Sequence, residues 1–138
     1  MALVFANSGE LLAIQWMLKT TSTPENLTLK LFKNDYTPTA TSTAGDFTEA
    51  DFTDYAAKTL SRETWQSPST VSGKASIAYD TTPQVFTCGA TGNTIHGYYI
   101  VGATSGTLIY AERFDASRPL SNGDSVNVQP VITLNSEN

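Results

Sequence analysis

Leu11, Ile14 and Leu18 recur at helical spacing with Leu12 and Trp16 beside them, while Glu10, Gln15 and Lys19 are polar. That period of about 3.6 predicts a helix. Asn7 and Glu10 have the spacing of an N-cap residue and its N3 partner, so Asn7 is expected to accept from an orphan backbone donor. The run Thr20–Thr23, followed by Pro24, ends the helix and closes an N-terminal helical segment, 1–23. Leu3, Val4 and Phe5 precede it and are too apolar for a free tail; they are expected to be buried against something.

Beyond Pro24 the period falls to two. Leu27, Leu29 and Leu31 point one way and Thr28 and Lys30 the other, the alternation of a half-buried strand. Residues 33–45 read as a loop with turn chemistry at Asn34-Asp35 and Pro38, and Thr48 to Phe52 as one short helical turn. Further strands are expected over Tyr55–Leu60, Lys74–Tyr79, Gln84–Cys88, Ile95–Ala103, Thr107–Phe114 and Ser125–Asn135. The later ones are separated by turn signals at Pro83, Gly92-Asn93, Ser105-Gly106 and Asn122-Gly123. Gly97–Gly102 is apolar on both faces, which places it at the centre of a sheet or at a covered interface. Pro130 makes the last strand an edge strand or one with a bulge. Many short strands without a βαβ rhythm predict an all-β domain, an antiparallel β-sandwich or jelly roll of about seven to eight strands with one N-terminal helix. The whole chain, 1–138, is expected to form that single domain.

Composition narrows the function classes. Charged residues make up 15% of the chain, against a typical value of about 25%; Thr and Ser take their place. The net charge of −5 and the lack of a Lys/Arg run argue against nucleic acid as a partner. Leu11–Leu18 is too short for a membrane span and lacks a basic flank, so neither a membrane role nor export is expected, and synthesis falls in a cytoplasm. Cys88, the only cysteine, lies in the apolar run Val85–Cys88 and reads as a small buried hydrophobe.

Catalytic constellations fail by subtraction. His96 is the only histidine, no Gly-x-Ser-x-Gly elbow accompanies it, and a strand or turn role is favoured. Around Gly73-Lys74, Pro68 takes the place of the first P-loop glycine and Ala75 that of the Ser/Thr magnesium ligand. Asp46, Glu49, Asp51 and Asp54 match no EF-hand spacing; with Phe47, Phe52 and Tyr55 interleaved, they read as a solvated acidic loop anchored by its aromatics. Trp65, Tyr36, Tyr55, Tyr98 and Tyr99 could form a glycan platform, but core and subunit packing is the preferred reading. No catalytic, cofactor-binding or metal-binding residue is assigned, and the chain is expected not to be an enzyme.

Three stretches carry a resemblance. They are Leu27–Pro38, with its Asn-x-x-x-Pro ending; Asp46–Ala57, an acidic aromatic loop leading into Tyr-Ala-Ala; and Gly97-Tyr98-Tyr99-Ile100-Val101 continued by Leu108–Phe114 with Ala-Glu-Arg-Phe. In this order they resemble a group of small virion structural proteins of tailed bacteriophages, including cyanophages, and the resemblance favours the cement (decoration) type. It implies a homotrimer on the outer surface of the head, made in the host cytoplasm, that bridges subunits of the major capsid protein and has no catalytic residues. A tail or fibre module that binds a host-surface glycan is the competing class, and a small wall hydrolase a distant third. The interface is expected to use Leu3, Val4 and Phe5, the helix face Leu11, Ile14 and Leu18, and Tyr98 and Tyr99. A role for the N-terminal segment in capping the monomer's own core is nearly as well supported.

Overall fold

A computed structural model describes residues 3–134, so Met1, Ala2 and Asn135, which the expected segments include, lie outside the described residues. The chain is mostly β, with antiparallel sheets and one α-helix. In chain order the elements are β1 (Val4–Phe5), α1 (Asn7–Leu18), β2 (Leu27–Phe32), β3 (Lys58–Leu60), β4 (Ser69–Val71), β5 (Lys74–Ala78), β6 (Gln84–Thr87), β7 (Thr94–Gly102), β8 (Leu108–Pro119), β9 (Ser125–Val128) and β10 (Val131–Leu134). A five-stranded sheet has the order β1-β8-β7-β2-β3, a three-stranded sheet the order β10-β5-β4, and β6 pairs with β9.

The alternation in β2 sets the core. Leu29 lies opposite Ile100 and Leu31 opposite Tyr98, and Tyr110 in turn lies opposite Ile100. Their side chains pack with Phe86, Val126 and Val128 of the β6/β9 pair and with Tyr79 at the end of β5. The other face of the sheet carries Phe32, Tyr99 and Val101, covered by Phe47 and Ala6. Both faces of β7 are therefore buried, as its two-sided apolar pattern requires.

The acidic aromatic segment completes the edge of β2. β3 reaches only as far as Lys58 opposite Leu29. Beyond that point Ala50 N–H donates to the Leu31 carbonyl (2.9 Å), Lys33 N–H to the Thr48 carbonyl (2.9 Å) and Leu31 N–H to the Tyr55 hydroxyl (3.2 Å). A loop thus supplies the partners a strand would have given. Thr48–Phe52 is consequently extended, not helical; the helical turn lies earlier, a 3-10 turn at Ala44–Asp46. Likewise Tyr55–Ala57 is loop, because Tyr55 turns its ring inward against Phe52 and Phe86.

Other boundaries moved for local reasons. Pro130 divides the expected Ser125–Asn135 strand: β9 pairs with β6, whereas β10 pairs with β5 in a different sheet. β4 was not expected; it forms a hairpin with β5 across Ser72-Gly73, both at positive φ (50° and 77°), the conformation of a two-residue type I′ turn. β8 runs past Phe114 to Pro119, and the register jumps from Gly97–Arg113 to Ile95–Arg118, so Phe114–Ser117 bulge opposite His96. With β1 and β4 added and the last strand divided, the described residues hold ten strands.

The helix begins one step away from the expected cap. Ala6 occupies the N-cap and no side chain caps the end. Ala6 N–H donates to the Ile109 carbonyl (2.9 Å), so the chain passes directly from β1 into α1 while still bound to β8. Asn7 N–H donates to the Ala40 carbonyl (2.8 Å), and Ser8 Oγ–H to the Leu108 carbonyl (2.9 Å). Neighbouring backbone carbonyls take the place of the side-chain cap.

Candidate functional site

The helix carries two apolar stripes and buries one of them. Gly9 is buried, and Leu12 and Trp16, at i+3 and i+7 from it, pack on the core. A Cβ at Gly9 would stand 2.6 Å from Ile109 Cα, so only glycine lets the helix approach β8 this closely. The opposite stripe is open to solvent: Leu11 is 63% exposed, Ile14 53%, Met17 79% and Leu18 75%. Four large apolar side chains thus lie exposed together on a helix fixed to a sheet, whereas scattered single residues are the ordinary case.

The first turn of the helix, Asn7 and Glu10, lines a hollow together with Leu3, Phe5 and Leu134. Leu134 also borders a neighbouring apolar groove of about 290 Å³, walled by Leu27, Trp65, Ile77, Tyr110 and Ile132. Phe5 closes the junction by stacking on Tyr110, with ring centroids 4.2 Å apart and planes at 21°. Burial pushes the Tyr110 phenol upward, and the Glu10 carboxylate adds to the effect.

The expected interface residues separate into three groups. Leu11, Ile14 and Leu18 are exposed and available. Leu3, Val4 and Phe5 are half-buried: Val4 pairs with Ala111 and Phe5 with Tyr110, making β1 an edge strand of the chain's own sheet. Tyr98 and Tyr99 do not join the surface. They are 5% and 4% exposed, and the expectation that they meet another subunit is corrected by their burial within this chain. Tyr98 O–H donates to Glu112 Oε2 (2.8 Å), while Tyr99 stacks on Phe47 with centroids 4.6 Å apart. Sequence patterning missed Met17 and the groove around Trp65. Met17 lies one turn beyond Ile14 on the exposed stripe, a spacing that could have revealed it, whereas the groove joins residues far apart in sequence.

The remaining chemical candidates are placed as follows. Cys88 is buried, its thiol directed at the Gly89 and Thr91 carbonyls (3.4 and 3.7 Å). His96 Nδ1 lies 3.8 Å from Asp35 Oδ1, and Asp35 also pairs with Arg113. The four loop carboxylates face different partners. Asp46 accepts from Thr43 N–H (2.7 Å), Glu49 from Lys30 (3.0 Å) and Tyr55 O–H (3.0 Å), Asp51 pairs with Lys33 (2.6 Å), and Asp54 adopts a positive φ of 70°. Lys33 and Asn93 beside it hold the Asp51 carboxyl below its usual range. Among the described residues no group of three or more His, Cys, Asp or Glu converges as metal ligands would, and no helix is long and apolar enough to cross a membrane.

The described residues thus form a β-rich fold with one helix whose outer apolar stripe is exposed. The chain matches no family model, and comparison with curated proteins gives no match.

Proposed function

We propose that this chain is a tailed-phage capsid cement protein, a homotrimer on the outer head surface that bridges neighbouring subunits of the major capsid protein. The observation that carries the proposal is the exposed Leu11/Ile14/Met17/Leu18 stripe on a helix locked to β8 through Gly9. The order of motifs from Leu27 to Phe114 supports it by resemblance. We read the packing of the five-stranded sheet on the two smaller ones as a β-sandwich of the jelly-roll kind. Such a body suits static work: its rigidity holds the apolar stripe in a fixed orientation, so little ordering entropy is lost when a partner covers it. Each of the stripe's large side chains contributes on the order of 1.5 kcal/mol when covered, at the low end for full burial.

The test combines Leu11→Gln, Ile14→Gln and Leu18→Gln, with glutamine chosen as a good helix former. Added to undecorated heads, the folded variant should bind about a thousandfold more weakly, since three losses of that size exceed 4 kcal/mol and each ~1.4 kcal/mol is a decade. Unchanged occupancy overturns the proposal. Copy number separates the competing class: hundreds of copies per virion belong to a head cement, and a few to a few dozen to a glycan-binding tail module. Sedimentation equilibrium of the purified chain tests the trimer.

A further inference from the structure

Asn122-Gly123 is the only Asn-Gly step in the sequence, and it lies at the tip of the exposed turn joining β8 to β9. We propose that Asn122 is a site of spontaneous covalent modification, deamidation through a succinimide, at a rate that the folded turn holds down. The reaction is intramolecular. The Gly123 amide nitrogen, after loss of its proton, attacks Asn122 Cγ and forms a new N–C bond. The side-chain amide leaves as ammonia, taking up a proton. Water then opens the ring at one of its two carbonyls, giving either aspartate or β-linked isoaspartate. A glycine at the next position offers no side chain to obstruct the attack, and Asn122 itself is exposed.

The turn ties down the nucleophile. Gly123 N–H donates to the Cys88 carbonyl (2.8 Å) from a backbone held at φ 91°. Asp124 N–H closes the turn on the Ser121 carbonyl (2.9 Å), Asp124 Oδ2 accepts from Ser121 N–H (2.8 Å), and Cys88 N–H donates to the Asp124 carbonyl (2.8 Å). Attack on Cγ requires the Gly123 nitrogen to leave Cys88 and the turn to re-form around a five-membered ring. Reaction therefore proceeds through local opening, whose population falls tenfold for each ~1.4 kcal/mol of opening free energy. The two products differ in consequence. Aspartate adds a negative charge at an exposed position, whereas isoaspartate lengthens the backbone by one carbon between Ser121 and Asp124, which detaches the turn from Cys88.

The experiment ages the intact protein at mildly alkaline pH, with and without denaturing urea, and follows the tryptic peptide spanning Asn122 by mass and by separation of its isoaspartyl form. Native protein should lose the Asn122 amide about tenfold more slowly than the unfolded chain. Its aged fraction should include isoaspartate with a lowered unfolding midpoint. The variant Asn122→Gln, which must close a larger ring, should abolish the product while keeping a native circular dichroism spectrum. Equal rates in folded and unfolded protein, no deamidation in either, or ammonia release undiminished in Asn122→Gln would each overturn the proposal.

Discussion

Replacing Tyr55 by Phe removes one oxygen from a half-buried position and tests whether a loop does the work of a strand at the edge of β2. That oxygen accepts from Leu31 N–H (3.2 Å) and donates its own proton to Glu49 Oε1 (3.0 Å). Leu31 is fully buried, and β3 has already ended two residues earlier. The ring contacts with Phe52 and Phe86 survive the substitution, so hydrophobic burial is nearly unchanged. What is lost is the hydroxyl acceptor of a buried backbone donor, at a cost of about 1–3 kcal/mol. With a urea m-value of about 2 kcal/mol per molar, the midpoint should fall by roughly 1 M at unchanged slope. Glu49→Gln provides the control. It leaves an acceptor for the Tyr55 hydroxyl and weakens mainly the half-buried pair with Lys30, which solvent screening keeps at about 0–1 kcal/mol. A loss in Tyr55→Phe below about 0.5 kcal/mol, the range of ordinary surface changes, or one no larger than that of Glu49→Gln, refutes the reasoning.

Two further outcomes follow from the same packing. Gly9→Ala should destabilise by about 1–3 kcal/mol, as overpacking does, even though alanine is the better helix former by about 1 kcal/mol; a more stable variant in urea titration would mean that α1 does not touch Ile109. Burial, with the Glu49 charge adding to it, pushes the Tyr99 phenol up to about 12, and Tyr98 and Tyr110 are raised for the same first reason. A phenol with a raised value is neutral in the folded state while the unfolded chain ionises from pH 10 upward. Stability is therefore fully present below pH 10 and is lost progressively as pH climbs toward 12. Phenolate absorbance from these three rings should rise together with the loss of β circular dichroism; titration of all six tyrosines near pH 10 in a protein that keeps its β spectrum would contradict their burial.

Local chemistry in the sequence determined a good part of this protein. The period-two run Leu27–Leu31, the two-sided apolar run at Gly97–Gly102 and the turn residues between the later strands each specify an element through contacts within a few residues. The existence and extent of α1 follow from its apolar spacing in the same way. The periodicity did not determine which side of α1 faces inward, because leucine, isoleucine, methionine and tryptophan occur around most of its circumference. Gly9 decides it, by allowing close approach to a backbone one hundred residues away at Ile109. Tyr98 and Tyr99 were ambiguous for a related reason. A strand apolar on both faces needs two covers, and whether they come from the same chain or another depends on where Phe47 and the β6/β9 pair fold back. Pro130 marked an interruption in the last strand, but assigning its halves to separate sheets required the partners β5 and β6. Leu11, Ile14 and Leu18 were legible in the sequence as one helix face, but that this face and Met17 stay open to solvent was a tertiary outcome: the helix has more apolar surface than β8 can cover, and the part left over is the surface proposed for binding.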